Sequence, residues 1–501
     1  MKLKNIIYTS SLAASMLLAT ACSDEFLDIK PTGDVSELDV FTAASNLETA
    51  INGMHRNMYV RQNASQGNNG YTAQMIIYDV MGEDLIFPST GNGWFVSELR
   101  WLHTDNDNAA ANSYIWNFWY SMIKNANNII VKGAPILTAN ASEENIKNRA
   151  IAQAYAYRAF GLFQLVQTFG KTYNPATAGS DLGVIIRLDP DDNSAKARAT
   201  VQEVYDQINA DLAEANTLMG NLAVANNSNI SGRVIKGLEA RVALVQKNYS
   251  VAATKANEAR TGKNLMTNDQ YTAGFNDYTN PEWMWGIRII ADQSDFFGNF
   301  MAYMSRNYSS GQIRACPKVM NSTLYNSLSA NDVRKTVVDA TGAHTGLGLP
   351  TSFTRVGFTS QKFLAESQSV ALGDVPFMRA AEMYLIEAEA KYNLGDEAGS
   401  ISVLQELLDN RTSNTYTITT TGQAYYDELL QNRRAELWGE GFRFFDLKRL
   451  QQPLNRNAPN VVSSVLSGGV TTLQPTDARW QWLIPRQEIN ANPELVQNPF
   501  N

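Results

Sequence analysis

The chain has 501 residues and a formal net charge of −8, from 41 lysine and arginine residues against 49 aspartate and glutamate residues. This length is enough for a large core, and the acidic balance argues against binding of nucleic acid or of anionic lipid through a basic patch. Two cysteines and three scattered histidines exclude a structural zinc cluster.

Residues 1–21 predict a secretory signal peptide of the lipoprotein type. Lys2 and Lys4 precede a short apolar run and a group of small residues that ends at Cys22. The run is too short to span a membrane. We expect Cys22 to be acylated after export, because several acyl chains on one residue anchor a protein stably. The alternative is an ordinary secretory signal followed by a chance cysteine.

A tether and a body follow the signal. Residues 22–38 predict a short lipidated tether, since they are polar and acidic and contain a proline and a glycine that break regular structure. We expect residues 39–501 to form one compact body with an N-terminal part, 39–260, and a C-terminal part, 261–501.

Helical spacing of apolar residues predicts a mostly α-helical body. The predicted helices are 44–59, 114–133, 143–169, 200–219, 231–246, 249–260, 376–394, 398–410 and 425–439. The predicted strands are 416–421 and 480–484. Long loops rich in Asn, Gly, Ser and Thr are predicted at 63–70, 89–93, 262–281, 341–360 and 455–478. Neighbouring helices form short antiparallel pairs that resemble tetratricopeptide units.

Six segments along the chain form a recognisable series. They are CSDEFLD (22–28), WNFWYSMIKNANNII (116–130), AYAYRAFGLFQLVQTFG (154–170), RAAEMYLIEAEA (379–390), RRAELWGEGFRFFDLKR (433–449) and IPRQEINANPELVQNP (484–499). In this order, behind a lipoprotein signal, they resemble the SusD/RagB family of surface glycan-binding lipoproteins of Bacteroidetes.

The resemblance implies a SusD-like fold, mostly α, with tetratricopeptide-type helix pairs as a scaffold, long irregular loops and a few short strands. It also implies a SusC-like TonB-dependent transporter as partner, over which the lipoprotein sits as a lid. The protein is then expected in the outer membrane, held only by its lipid anchor and facing the cell exterior, without a nucleic-acid partner.

Several acidic residues have the spacing of a catalytic pair. Glu436 and Glu440 lie four residues apart near Asp446, and paired carboxylates perform glycoside hydrolysis. The same segment carries at least as many cations, among them Arg433, Arg434, Arg443 and Lys448. We therefore interpret these residues, and Glu387 and Glu389, as a structural ion-pair network, because neighbouring arginines lower the pKa that a general acid needs raised. No metal, calcium-loop or nucleophile motif is present, so we expect no catalytic residue and no cofactor; a structural calcium ion that supports a loop stays open.

Aromatic residues in loops are the candidates for binding. Trp94 and Phe95 follow the glycine-rich segment 89–93, and sugars stack on exposed rings while polar groups such as Asn92 bind their hydroxyls. A second cluster follows residues 283–287, in a place similar to that of ligand aromatics in the family. Its members are Phe296, Phe297, Tyr303, Arg306 and Tyr308. The alternative is that these rings pack in the core or against the transporter.

These observations predict a non-enzymatic surface protein that captures oligosaccharide and delivers it to the transporter. Two alternatives stay open. One is capture of peptides, as in the RagB branch of the family. The other is a structural transporter subunit that binds no ligand of its own.

Overall fold

The computed structural model describes residues 41–294 and 298–500. The predicted signal peptide, Cys22, the tether and the candidate residues Phe296 and Phe297 lie outside this part of the chain. Within it, the protein is mostly helical and has a few short strands, as predicted.

The helices include long members that build the scaffold and short members within the loops. They are α1 (Ala44–Asn57), α2 (Gly70–Val80), α3 (Val96–Leu99), α4 (Ala110–Gly133), α5 (Ala141–Phe169), α6 (Val201–Met219), α7 (Gly232–Val245), α8 (Tyr249–Arg260), α9 (Asn268–Thr272), α10 (Phe300–Met304), α11 (Gly311–Ala315), α12 (Ser322–Ser327), α13 (Val333–Thr336), α14 (Ala380–Asn393), α15 (Glu397–Thr412), α16 (Gly422–Glu436), α17 (Arg443–Arg449) and α18 (Arg486–Ala491).

Short antiparallel strands join distant parts of the chain in three small sheets. The strands are β1 (Leu85–Ile86), β2 (Trp283–Ile287), β3 (Val319–Met320), β4 (Val338–Asp339), β5 (Thr359–Ser360), β6 (Val375–Arg379), β7 (Leu454–Asn455) and β8 (Thr472–Leu473). One sheet has the order β1-β3-β5-β4, and the others are the pairs β2–β6 and β7–β8. The register of β2 on β6 places Trp283 opposite Arg379 and Ile287 opposite Val375.

The long helices pack in series, each against the next. Helix α4 packs on α5, α5 on α6, α6 on α7 and α7 on α8, and the series continues through α14 to α15. Local sequence fixes where the helices begin and end. Thr200 and Glu203 form a capping box at the start of α6, and Gly395, with φ of 83°, turns the chain between α14 and α15. This stack is the rigid scaffold from which the loops extend.

Two predicted strands are wrong, one predicted helix begins too early, and among the described residues the longest helix without a prediction is α2. Residues 375–379 form strand β6 rather than the start of a helix at 376. Residues 416–421 are irregular, and 480–484 follow a short 3₁₀ turn without forming a strand. The sequence pattern does not predict helix α2. All eleven of its residues are buried, so it has no polar face to produce a helical period.

The main core runs through the scaffold and is rich in aromatic rings. The tryptophans of the helical motifs and of the tail, Trp116, Trp119, Trp438, Trp480 and Trp482, are buried in it. Among the described residues, no helix is both long enough and apolar enough to cross a membrane. The division of the body at about residue 260 stays a prediction.

His55 on α1 gives the fold a pH dependence. Its Nδ1 lies 2.5 Å from Tyr157 Oη and its Nε2 lies 3.2 Å from Asn229 Oδ1. Burial lowers its pKa to about 4. The unfolded chain protonates this histidine near pH 6.5, so stability falls as the pH drops from 6.5 to 4 and then levels off, by about 3 kcal/mol at ~1.4 kcal/mol per pKa unit.

The contribution of His55 is measurable as a difference between two proteins. We expect the unfolding free energy of the wild type to fall by about 3 kcal/mol more than that of His55→Gln between pH 7 and pH 4. Urea titrations at several pH values measure both curves, and the other titrating groups are common to both. Parallel curves would show that His55 does not titrate in this way.

Candidate functional site

The loop that carries Trp94 is fixed to helix α11. Ser89 Oγ donates a hydrogen bond to the carbonyl oxygen of Ala315 at 2.7 Å. The backbone N–H of Asn92 donates to Gln312 Oε1 at 2.8 Å. A loop pinned by such bonds holds its side chains in place before any ligand arrives, which reduces the entropy lost on binding.

The Trp94 side chain is half-buried and rests on other aromatic rings. Its ring centroid lies 5.7 Å from that of Tyr303, and Phe95 meets Tyr303 edge-on at 5.0 Å. Phe95 and Tyr303 are themselves buried. The inner rings therefore support Trp94, which keeps part of its surface in solvent.

A polar turn lies beside the Trp94 ring. Residues 62–69 fold back on themselves, with the N–H of Gln62 donating to the carbonyl of Asn68 at 2.8 Å. Asn63 and Ser65 of this turn are exposed, as is Asn92. We call Trp94, Asn92 and residues 63–68 together the Trp94 surface. It presents one partly exposed ring among amides and hydroxyls, which is the combination that a sugar ring and its hydroxyls require.

Gly67 sets the position of the Trp94 ring. Its φ is +89°, and a Cβ atom there would lie 2.9 Å from Trp94 Cζ3. We expect Gly67→Ala to cost about 1–2 kcal/mol of stability through the left-handed backbone and to displace the ring. With 5-fluorotryptophan, ¹⁹F NMR reports the displacement as a shift of the Trp94 resonance.

Gly395 provides a matched control for that substitution. Its φ is +83°, and an added Cβ would meet no atom within 4 Å. Gly395→Ala is expected to carry a similar backbone cost and to leave the Trp94 resonance unchanged. If Gly67→Ala also left that resonance in place, the contact between the turn and the ring would not fix the ring.

The acidic residues of the 433–449 segment lie inside an ion-pair network. Glu436 is 2.9 Å from Arg379 and 3.0 Å from Arg411, and Glu440 is 2.6 Å from Arg379. Burial alone would raise the pKa of Glu436, but Arg411 and Arg379 hold it well below its ordinary value. A carboxylate held ionised in this way is a poor general acid.

The structural interpretation of this segment is confirmed. Asp446 pairs with Arg433 at 2.8 Å, as expected, whereas Glu436 and Glu440 pair with arginines from outside the segment. Glu387 pairs with Arg260 at 2.7 Å and Glu389 with Arg449 at 2.5 Å. Lys448 is the exception, because its Nζ donates to the backbone carbonyls of Gln167 and Gly170 instead of to a carboxylate.

Asp79 on α2 has a pKa that resembles that of a catalytic acid. Burial raises it to about 7. The side chain is 3 % exposed, and its Oδ1 accepts the backbone N–H of Arg443 at 3.1 Å. A proton at this depth does not reach a substrate on the surface. Among the described residues, no group of three or more histidine, cysteine, aspartate or glutamate side chains is placed to hold a metal ion.

Two family models match consecutive parts of the chain. A model described as "Starch-binding associating with outer membrane" matches residues 25–230, and the model of the SusD family matches residues 317–500. Together they cover more than half of the sequence, in the order in which the motifs occur. The chain belongs to the SusD/RagB family.

Relatives of this SusD/RagB protein span nearly its full length. SusD-like protein P2 of Formosa agariphila is 25% identical, and the match covers 98% of this chain and 97% of the relative. A solved SusD-like carbohydrate binding protein from Bacteroides vulgatus superposes with a TM-score of 0.78 at 24% identity, over 91% of this chain and 98% of that chain.

A further solved structure is that of a laminarin binding SusD-like protein. It superposes with a TM-score of 0.69 at 20% identity, over 92% of this chain and 100% of that chain. These likenesses establish the SusD-like fold that the motifs predicted.

The candidate ligand residues of this SusD/RagB protein occupy different environments. Asn92 is exposed and Trp94 is half-buried, whereas four others, Phe95, Tyr303, Arg306 and Tyr308, are at most 7 % exposed. Arg306 donates from Nη2 to the carbonyl of Thr354 at 3.0 Å. Ligand contact stays a prediction for all of them. We retain Asn92 and Trp94 as the candidates, because a buried ring has no exposed face on which a sugar can stack.

Two residues that shape the surface were not predicted from the sequence. Gly67 lies beneath the ring, and Gln312 accepts the hydrogen bond that fixes Asn92. The sequence predicts a loop at residues 63–70 but does not predict that this loop contacts Trp94. The pairing depends on contacts between segments far apart in the chain, which local patterns do not report.

Proposed function

We propose that this protein binds oligosaccharide on the bacterial surface, with the Trp94 surface as its binding site. The observation that carries the proposal is a half-buried tryptophan held among amides and hydroxyls by a pinned loop. A sugar ring stacks its C–H face on the indole while its hydroxyls bond to groups such as Asn92. The starch-binding family model and the carbohydrate-binding and laminarin-binding structures support this proposal.

We propose that the bound sugar is delivered unchanged to a SusC-like TonB-dependent transporter. In this proposal the chain is acylated at Cys22 and stays at the outer membrane. The description of the N-terminal family model, "associating with outer membrane", supports the location. A tethered binder raises the effective ligand concentration beside its transporter. Such capture needs no cofactor and breaks no bond, in keeping with the buried, arginine-paired carboxylates of the 433–449 segment.

A calorimetric titration against several ligand classes tests the proposed function. Laminari-oligosaccharides, malto-oligosaccharides and short peptides are offered to the purified protein, and each mixture is assayed for newly formed reducing ends. We expect at least one glycan to bind without any release of sugar. Binding of peptides alone favours the RagB-like alternative, and no binding of any ligand class favours a structural subunit. Release of sugar contradicts the proposal that the protein is not an enzyme.

A further inference from the structure

A cleft separate from the Trp94 surface lies on a different part of the fold. It has a volume of about 430 Å³, within the range of roughly 300–1,000 Å³ that is usual for small-molecule sites. Its walls come from the segment after α5, the turn after α7, the end of α17 and residues 475–481. None of its lining residues belongs to the Trp94 surface.

The charges of this cleft do not balance. Three lysines and two aspartates line it. Both acids already have a basic partner, since Asp181 pairs with Lys171 at 2.6 Å and Asp477 pairs with Arg479 at 2.8 Å. The other two lysines, Lys247 and Lys448, have no carboxylate within 4.0 Å among the described residues. The cleft therefore has more basic groups than acidic ones.

Lys448 is the unusual member of this set. Its side chain is nine-tenths buried or more, and Nζ donates to the carbonyl oxygens of Gln167 at 2.5 Å and Gly170 at 2.9 Å. A protonated amine has three donors, so these two bonds leave one unused. Burial lowers the pKa of Lys448 to about 7. Near neutral pH this amine is therefore only part-protonated, and an anion in the cleft would raise its pKa and favour the charged form.

The remaining walls suit a molecule that carries hydroxyl groups. Thr172, Asn174, Gln451 and Thr476 line the cleft with small hydroxyls and amides. These groups donate to and accept from sugar hydroxyls, and Lys247 and Lys448 attract a negative substituent. We propose that this cleft binds an acidic sugar, one that carries a carboxylate or sulfate group, independently of the Trp94 surface.

Calorimetry with matched charged and neutral sugars tests this inference. The probes are the trisaccharide of galacturonic acid, its carboxyl-reduced neutral counterpart, and galactose 6-sulfate. We expect the charged trisaccharide to bind at least tenfold more tightly than the neutral one and to weaken with added salt. The sulfate probe shows whether the site accepts both anions or only the carboxylate. Equal affinity for the charged and neutral trisaccharides, or no binding of either acid, overturns the proposal.

Lys247→Ala assigns that binding to the cleft. Lys247 is exposed, so its removal leaves the fold intact, and we expect affinity for the acidic trisaccharide to fall at least fivefold. Lys124→Ala is the matched control, because Lys124 is an exposed lysine that lines a different cleft. Lys448→Met is expected to abolish binding if it folds. An unchanged affinity in Lys247→Ala overturns the assignment even if the buried variant does not fold.

A third variant separates this inference from the proposed function. Trp94→Ala is expected to leave the affinity for the acidic trisaccharide unchanged, since Trp94 is outside the cleft. Parallel loss of acidic and neutral glycan binding in Trp94→Ala would place both ligands on one surface and overturn the second site. Selective acetylation of Lys247, read by mass spectrometry, is expected to slow when the acidic trisaccharide is bound.

Discussion

Replacing Arg379 by methionine is expected to destabilise the protein by 3–5 kcal/mol or to prevent folding. Arg379 ends strand β6 and is 1 % exposed. Its guanidinium lies 2.5 Å from Glu282, 2.9 Å from Glu436 and 2.6 Å from Glu440. Removing one partner from a buried ionic network leaves uncompensated charge in a medium that solvates it poorly, which is the reason for so large a loss.

The charges around Arg379 balance before the substitution and not after it. Three carboxylates, those of Glu282, Glu436 and Glu440, meet Arg379, Arg411 and Lys362. Burial would raise the pKa of Glu440, but Arg379 and Lys362 hold it below its ordinary value. Without Arg379, the pKa of Glu440 is lowered less and the carboxylates repel one another.

Denaturant unfolding measures the effect, and a part-exposed pair provides the control. Arg149 lies 2.6 Å from Glu48, and both side chains are partly exposed. Arg149→Met is expected to cost less than about 1 kcal/mol, because water screens such pairs. The double variant Arg379→Met/Glu440→Gln is expected to recover part of the loss. The network would not stabilise the fold in this way if Arg379→Met cost no more than Arg149→Met.

Trp94→Ala is expected to weaken glycan binding by at least tenfold. The substitution removes the ring on which the sugar is proposed to stack, and burial of an aromatic face contributes about 1.5–3 kcal/mol. Each 1.4 kcal/mol corresponds to a factor of ten in the dissociation constant. Calorimetry with the glycan that binds the wild type best measures the change.

Two further variants show whether the Trp94 ring itself is responsible for the glycan affinity. Trp94→Phe keeps an aromatic face and is expected to retain part of the affinity. Tyr249→Ala removes a half-buried ring at the start of α8, away from the Trp94 loop, and is expected to bind like the wild type. Wild-type affinity in a folded Trp94→Ala protein would contradict the assignment of this surface.

Amphipathic helices of the scaffold were predictable because each shows one face to water. Helix α8 was predicted at its observed bounds, and α1 and α5 within two residues at each end. Strands β2 and β6 were missed, since every residue in both is buried and neither shows an alternating pattern. Segments that are buried on all sides carry no periodicity from which to assign them.

The partial exposure of Trp94 was predictable from the sequence, but the burial of other candidate residues was not. A loop rich in glycine and asparagine signalled that Trp94 stays near the surface, and the structure leaves this ring half-buried. Tyr303, on α10, and Arg306 follow a segment that resembles a loop, yet both are buried. Their burial arises from contacts with residues such as Phe95 and Phe353, which lie far away in the sequence.

A crystal structure with the best-binding oligosaccharide shows directly whether Trp94 binds the sugar. We expect a sugar ring lying on Trp94 within about 4 Å, hydroxyls bonded to Asn92 or the 63–68 turn, and intact glycosidic bonds. A sugar bound elsewhere while Trp94 stays uncovered, or a cleaved oligosaccharide, would contradict the proposed function.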